Sequence, residues 1–231
     1  MKIHGLQKMT LLDFPGRVAC TVFLGGCDFR CPFCHNFELV DGTAQPIMDD
    51  EELLAFLRKR SGLLDGVAFT GGEPCLHPGL PDLLRKIRAL GFATKLDTNG
   101  FHPDMLQDIL EQKLVDYVAM DVKNSPDKYA ATCGLDSLDL APIRRSIELL
   151  KSSGVDYEFR TTVVAELHQA ADFEAIGRMI CGARRYFLQC FTDRDSVPFG
   201  DLHAPSREAL LDYAEIARSF VPETQLRGVD L

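Results

Sequence analysis

Short apolar runs rich in β-branched and aromatic residues alternate along this chain with longer stretches in which apolar residues recur every three or four positions. The short runs read as strands: Ala19 to Gly25, Gly66 to Thr70, Ala93 to Thr98, Tyr117 to Val122, Tyr157 to Val164 and Tyr186 to Phe191. Between them, Asp50 to Arg60, Leu80 to Leu90, Pro103 to Gln112, Ala141 to Ser152 and Phe173 to Cys181 read as amphipathic helices. Pro205-Ser206 marks the start of a last helix over about 207–220. Six strand-then-helix units predict a parallel sheet. The expectation is an α/β fold, a partial, open (β/α)6 barrel of the TIM type. Its 231 residues suit a single domain over 1–231, and neither a repeat nor a linker divides it.

In such barrels the loops at the C-terminal ends of the strands build the active site. The loop 25–36 follows the first strand, and Gly71-Gly72-Glu73-Pro74 follows the second. Asp97-Thr98-Asn99-Gly100 ends the third strand and Asp121-Val122-Lys123 the fourth. All four therefore converge on one rim, where a scatter of structural turns would have no reason to gather. Gly71 and Gly72 suit a place where backbone approaches a ligand closely, because a Cβ would block it; an ordinary tight turn is the alternative. Asn99-Gly100 is a hairpin signal, but the helix pattern that follows makes it a strand-to-helix loop. Asp97, Thr98 and Asp121 are hard oxygen donors that would suit a monovalent cation or magnesium. Lys123 and Arg160 are candidates to neutralise an anionic ligand, or else ordinary surface ion-pair residues.

Three cysteines in the first loop, Cys27, Cys31 and Cys34, change the picture most. Four thiolates normally hold a cluster of four irons, so three would leave one iron open. A tetrahedral zinc site needs a fourth protein ligand such as His35, and zinc ligands usually come as two short pairs; a disulfide is the other alternative. Eight cysteines in a chain with no leader read as reduced thiols and metal ligands. Cys20, Cys75, Cys133, Cys181 and Cys190 are assigned to structure, Cys20 and Cys190 as small hydrophobes within strands. A formal net charge of −9 argues against a phosphate-tracking nucleic-acid binder while leaving a tRNA substrate open. No apolar run of about 20 residues and no basic-then-apolar leader is present, so a cytoplasmic protein with no membrane partner is expected.

The C-x3-C-x2-C run, with Phe33 before its third cysteine, is similar to the signature of the radical S-adenosylmethionine (SAM) family. That resemblance implies that the amino and carboxylate groups of SAM chelate the open iron of a single three-cysteine [4Fe-4S] cluster. Gly71 to Pro74 resembles the family's GGEP motif, which binds the SAM amino group, with Glu73 orienting the loop. D-T-N-G and D-x-K resemble segments of glycyl-radical activating enzymes that hold a cation near the SAM carboxylate. Carried over, these likenesses place Phe33, His35, Asn36, Gly71, Gly72, Glu73, Asp97, Asn99, Lys123, Arg160 and the late His203 around SAM. They place Asp97, Thr98 and Asp121 around the cation.

The stretch Leu11 to Leu39 looks like activating proteins of anaerobic ribonucleoside-triphosphate reductases. The likeness is close to about residue 123 and general beyond it. Pyruvate formate-lyase activating enzymes are near relatives, but their D-G-P-G-I-R appears here as Asp13-Phe14-Pro15-Gly16-Arg17-Val18. The resemblance implies reductive cleavage of SAM to methionine and a 5′-deoxyadenosyl radical, which takes a hydrogen atom from one glycine of a partner glycyl-radical enzyme. Flavodoxin or ferredoxin is the implied electron donor. Two alternatives stay open: a radical SAM enzyme acting on a small molecule or tRNA base, of the carboxy-deazaguanine synthase type, and a non-enzymatic electron carrier or zinc-structured binding protein.

Overall fold

The computed structural model describes residues 1–228; residues 229–231 of the expected domain span lie outside the described residues. In chain order the strands are β1 Lys2–Ile3, β2 Gly5–Thr10, β3 Ala19–Leu24, β4 Met48–Asp49, β5 Gly66–Gly71, β6 Ala93–Thr98, β7 Tyr117–Asp121, β8 Asp156–Val163, β9 Tyr186–Cys190 and β10 Thr224–Arg227. The helices are α1 Phe37–Val40, α2 Asp50–Arg58, α3 Leu80–Ala89, α4 Pro103–Glu111, α5 Tyr129–Thr132, α6 Ala141–Ser152, α7 Ala170–Met179 and α8 Arg207–Arg218. Eight strands form one sheet in the order β10-β9-β8-β7-β6-β5-β3-β2, and its two ends do not pair, so the barrel is open. All its neighbours are parallel except β2, which runs antiparallel to β3. β1 and β4 make a separate two-stranded ribbon.

All six expected strands and all six expected helices form, with shifts of a few residues at their ends. Two edge strands of the main sheet escape the hydrophobic pattern. β2 pairs along only one side and leaves Gln7, Lys8 and Met9 exposed, while β10 is four residues long and polar at three of them. An edge strand buries too little surface to carry a strong alternation. Local signals that do work are visible at helix starts. Asp49 and Glu52 form a reciprocal capping box on α2, and Ser206 accepts the Ala209 N–H at 3.1 Å to start α8. α7 begins earlier than its apolar spacing suggests because the Asp172 carboxylate accepts the Gln169 N–H at 2.9 Å and secures an extra turn.

Strand parity divides the molecule. On one face Val22, Leu24, Val67, Phe69, Leu96, Val118, Met120 and Leu188 pack against the helices in the main core. The opposite parity faces the barrel lumen, and there the character changes along the strands. At the lower end Phe14 reaches in from the β2–β3 connection and packs with Ala19, Ala93, Tyr117 and Ala119. At the upper end the lumen-facing residues are Thr70, Asp97, Asp121, Arg160, Thr162 and Gln189.

A cavity between a thiol loop and charged strand ends

The cysteine loop and the Gly71-Gly72-Glu73-Pro74 loop are stitched together through backbone. Gly72 N–H donates to Leu24 C=O and Glu73 N–H to Gly26 C=O, both at 2.8 Å, while Gly26 N–H donates to Leu39 C=O at 2.7 Å. This closeness is what requires glycine. A Cβ on Gly72 would lie 1.9 Å from the Gly26 carbonyl oxygen. Gly71, at φ +117°, would place one 2.4 Å from the Leu24 carbonyl oxygen. The expected close approach of backbone is thus met first by the neighbouring loop. Glu73 lies beneath, fully buried. Its carboxylate accepts from Cys75 N–H at 2.9 Å, the Thr98 hydroxyl at 2.8 Å and Asn99 N–H at 2.6 Å. Burial raises Glu73 above the ordinary carboxylate range against the pull of these three donors. It holds the second and third strand-end loops in register from below and does not line the cavity.

Above these loops lies a cavity of about 240 Å³, with Cys27, Cys31 and Cys34 on one wall beside Phe29 and Phe33. Burial pushes the Cys27 thiol up to about 12 and raises Cys34 as well. Loading a metal onto them therefore means displacing protons. Among the described residues no group of three or more His, Cys, Asp or Glu side chains gathers as one metal ion would need. The three thiols that share this wall are the soft donors that an iron–sulfur cluster takes. His35 does not complete a zinc tetrahedron: its Nε2 pairs with the Thr192 carbonyl at 2.7 Å and its ring stacks on Phe191. Of the five other cysteines, Cys133 is fully buried beside Cys31, and its carbonyl accepts the Arg30 N–H at 2.8 Å, so it backs the thiol loop.

The opposite wall is ionic. Arg160 reaches across two strands, Nε to Asp121 at 2.9 Å and a terminal nitrogen to Asp97 at 3.3 Å. Lys123 Nζ donates to the other oxygen of Asp121 at 2.9 Å, and Lys95 pairs with Asp97. Burial opposes ionisation of both carboxylates, but Arg160 and Lys123 hold Asp121 down at about 2, and Arg160 with Lys95 lowers Asp97. Three cations against two carboxylates leave one positive charge at the strand ends. Asp97, Thr98 and Asp121, the residues expected to hold a cation, all line the cavity. Thr98 follows Asp97 in β6, so strand parity turns its hydroxyl onto Glu73. The oxygens of the two aspartates are already engaged by basic side chains. The wall is arranged to receive an anion.

Of the other expected contacts, Phe33, His35, Asn36, Gly71, Gly72, Asn99, Lys123 and Arg160 line the cavity together with Asp97. Asn36 Nδ2 donates to Gly71 C=O at 3.3 Å. His203 does not line it. Its side chain is 72% exposed and pairs with Glu166 at 2.7 Å, on a loop that turns outward after β9. Thr70, Thr162 and Gln189 line the cavity without having been expected. Part of the signal was available: Thr162 shares the parity of Arg160 on β8 and pairs in register with Gln189 on β9.

An open parallel barrel whose thiol loop and charged strand ends face each other across one cavity defines a cofactor-dependent α/β-barrel enzyme. The profile of the Radical SAM superfamily matches residues 21–176, and the chain belongs to that superfamily, whose members use a [4Fe-4S] cluster and SAM. A Methanocaldococcus jannaschii protein provisionally named as a glycyl-radical enzyme activating enzyme is 29% identical over 239 residues, covering 99% of this chain and 96% of the relative. A pyruvate formate-lyase-activating enzyme of Clostridium pasteurianum is 35% identical over 131 residues, 54% of each chain. A 7-carboxy-7-deazaguanine synthase of Thermococcus kodakarensis is 29% identical over 171 residues, 65% of this chain and 66% of the relative. No helix among the described residues is long and apolar enough to cross a membrane.

Proposed function

We propose that this protein is an activating enzyme for a glycyl-radical enzyme, taking a hydrogen atom from the α-carbon of one glycine in a partner protein. The observation that carries the reading is the end-to-end match to a relative named for that activity. When bound, the cluster and SAM supply the one-electron cleavage of a carbon–sulfur bond that makes such an abstraction possible. In this reading Cys27, Cys31 and Cys34 hold the cluster. The surplus positive charge of this wall, presented to the cavity by Lys123 and Arg160, receives the carboxylate of SAM through charge-assisted hydrogen bonds. The edges of Gly71 and Gly72 meet the amino group, and Asn36 steadies the Gly71 carbonyl from the side. Phe29 and Phe33 keep water from the thiol wall. The unpaired sheet edges β2 and β10 leave a gap in the barrel wall that suits entry of a peptide segment.

The partner proposed from Leu11 to Leu39 is the anaerobic ribonucleoside-triphosphate reductase, with flavodoxin or ferredoxin as donor in the cytoplasm. The likeness to the clostridial activating enzyme favours a formate lyase as the second partner to test. The experiment is anaerobic. The reconstituted protein is mixed with dithionite and SAM, and 5′-deoxyadenosine is followed with each candidate partner while electron paramagnetic resonance is recorded. A glycyl-radical doublet with one partner establishes both activity and partner. SAM cleavage with no doublet from either directs the search to a small-molecule substrate, as the likeness to the deazaguanine synthase suggests.

A further inference from the structure

The Cys27 sulfur has surroundings that the sequence motifs do not account for. It accepts the backbone N–H of Phe29 at 3.4 Å and faces the side-chain nitrogen of Asn99 at 3.8 Å, within reach of sulfur's larger radius. Asn99 belongs to a different loop, 72 residues away. Its amide is not free to turn. Oδ1 accepts the Phe101 N–H at 2.8 Å, which leaves only the NH2 end for the sulfur. The backbone is fixed as well, because Asn99 N–H donates to the buried Glu73 carboxylate at 2.6 Å and the next residue, Gly100 at φ +76°, is pressed against Met120. The side chain is 6% exposed, so water competes little for the donor.

We infer that Asn99 is a positioning residue for the cluster: its amide donates a hydrogen bond to the Cys27 sulfur and so stabilises the reduced state. The inference rests on the reading of Cys27 as a cluster ligand. Reduction adds an electron whose charge is shared by the ligating sulfurs, so a donor aimed at one of them favours the reduced form more than the oxidised form. Hydrogen bonds to sulfur are among the determinants of cluster potential, and partners of the ligands commonly tune a metal site. The arrangement links the ease of reduction to the loop that Glu73 holds.

The test uses wild type, Asn99→Asp and Asn99→Ser, each reconstituted anaerobically and assayed for iron and sulfide, then titrated by electron paramagnetic resonance without SAM. Asn99→Asp keeps the oxygen that Phe101 needs and loses the donor; Asn99→Ser, with its hydroxyl at the γ position, is too short to reach the sulfur and adds no charge. At matched applied potential the reduced-to-oxidised ratio should fall about tenfold in both, equivalent to about 59 mV for one electron. Reduced wild type grown with 15N-asparagine should show a 15N hyperfine coupling that Asn99→Ser removes. A full cluster with an unmoved ratio overturns the inference, and so does weakened SAM binding with an unmoved SAM-free ratio, since that is a ligand contact alone. If the variants do not fold, the absence of any 15N coupling in wild type overturns it. A wild-type chain that takes up no cluster overturns the reading of Cys27 itself.

Discussion

The two walls of the cavity are held by different physics. On the thiol side, backbone meets backbone: Gly72 and Glu73 donate to Leu24 and Gly26, and glycine is the only residue that fits the contact. On the β6–β8 side the backbones are ordinary parallel strands, and the geometry is set by side chains, with Arg160 bridging Asp97 and Asp121. The first wall therefore has no tolerance for shape. The second depends on charge and on the reach of one guanidinium across two strands.

The hardest test of this contrast is Gly72→Ala. Its methyl group would lie 1.9 Å from a carbonyl oxygen that cannot move without its loop, and about 4 kcal/mol of stability should be lost. Iron uptake should fall sharply with it. Gly79→Ala, where nothing lies within 4 Å, should leave both thermal unfolding and iron content unchanged. Equal behaviour of the two variants would remove the clamp from the account.

On the charged wall, Arg160→Ala should cost about 3 kcal/mol, because it leaves two carboxylates facing each other with half their partners gone. Arg160→Lys should recover little, since one ammonium cannot span both strands as the guanidinium does. Urea denaturation measures the stability loss, and weakened SAM binding should accompany it. A smaller effect follows from acid. Asp121 is held at about 2, below the unfolded value of about 3.9, so its contribution is present above about pH 4 and is lost as pH falls toward 2. That contribution is on the order of 2 kcal/mol. Asp121→Asn lacks this acid limb, and the stability gap between it and wild type should close over that range; a constant gap would show that the ion pairs do not set the titration. The least effect belongs to His203→Ala. The residue is an exposed partner of Glu166 outside the cavity, so SAM affinity by calorimetry should match wild type.

Residues whose roles are local were legible in the sequence. The three cysteines, the glycine pair and the strand-end polar loops could be placed on one rim because alternation gives the strands and a parallel barrel gives the rim. Residues whose roles depend on register were not. Asp97 and Asp121 look like cation ligands until Arg160, 63 residues beyond Asp97, is seen to lie between them. Thr98 lines the cavity with Asp97, but one step along the strand turns its hydroxyl onto Glu73, which the sequence alone does not show. His203 carried neither a register partner nor an apolar pattern to anchor it, and the structure turns it outward. β2 and β10 were hidden for the opposite reason, since an edge strand needs so little apolar surface that its pattern fades.

Phe14 belongs to the Leu11 to Leu39 segment that resembles reductase activating proteins, yet it stands at the far end of the barrel from the cavity. Its ring packs with Ala19, Ala93, Tyr117 and Ala119, and a Cβ on Gly66 would come within 2.9 Å of it. It works as a stopper: the barrel becomes a cup, sealed below and filled from above. Whatever this cup holds must be admitted and discharged past the upper loops or through the gap between β2 and β10, so each departure and the next arrival share those two openings.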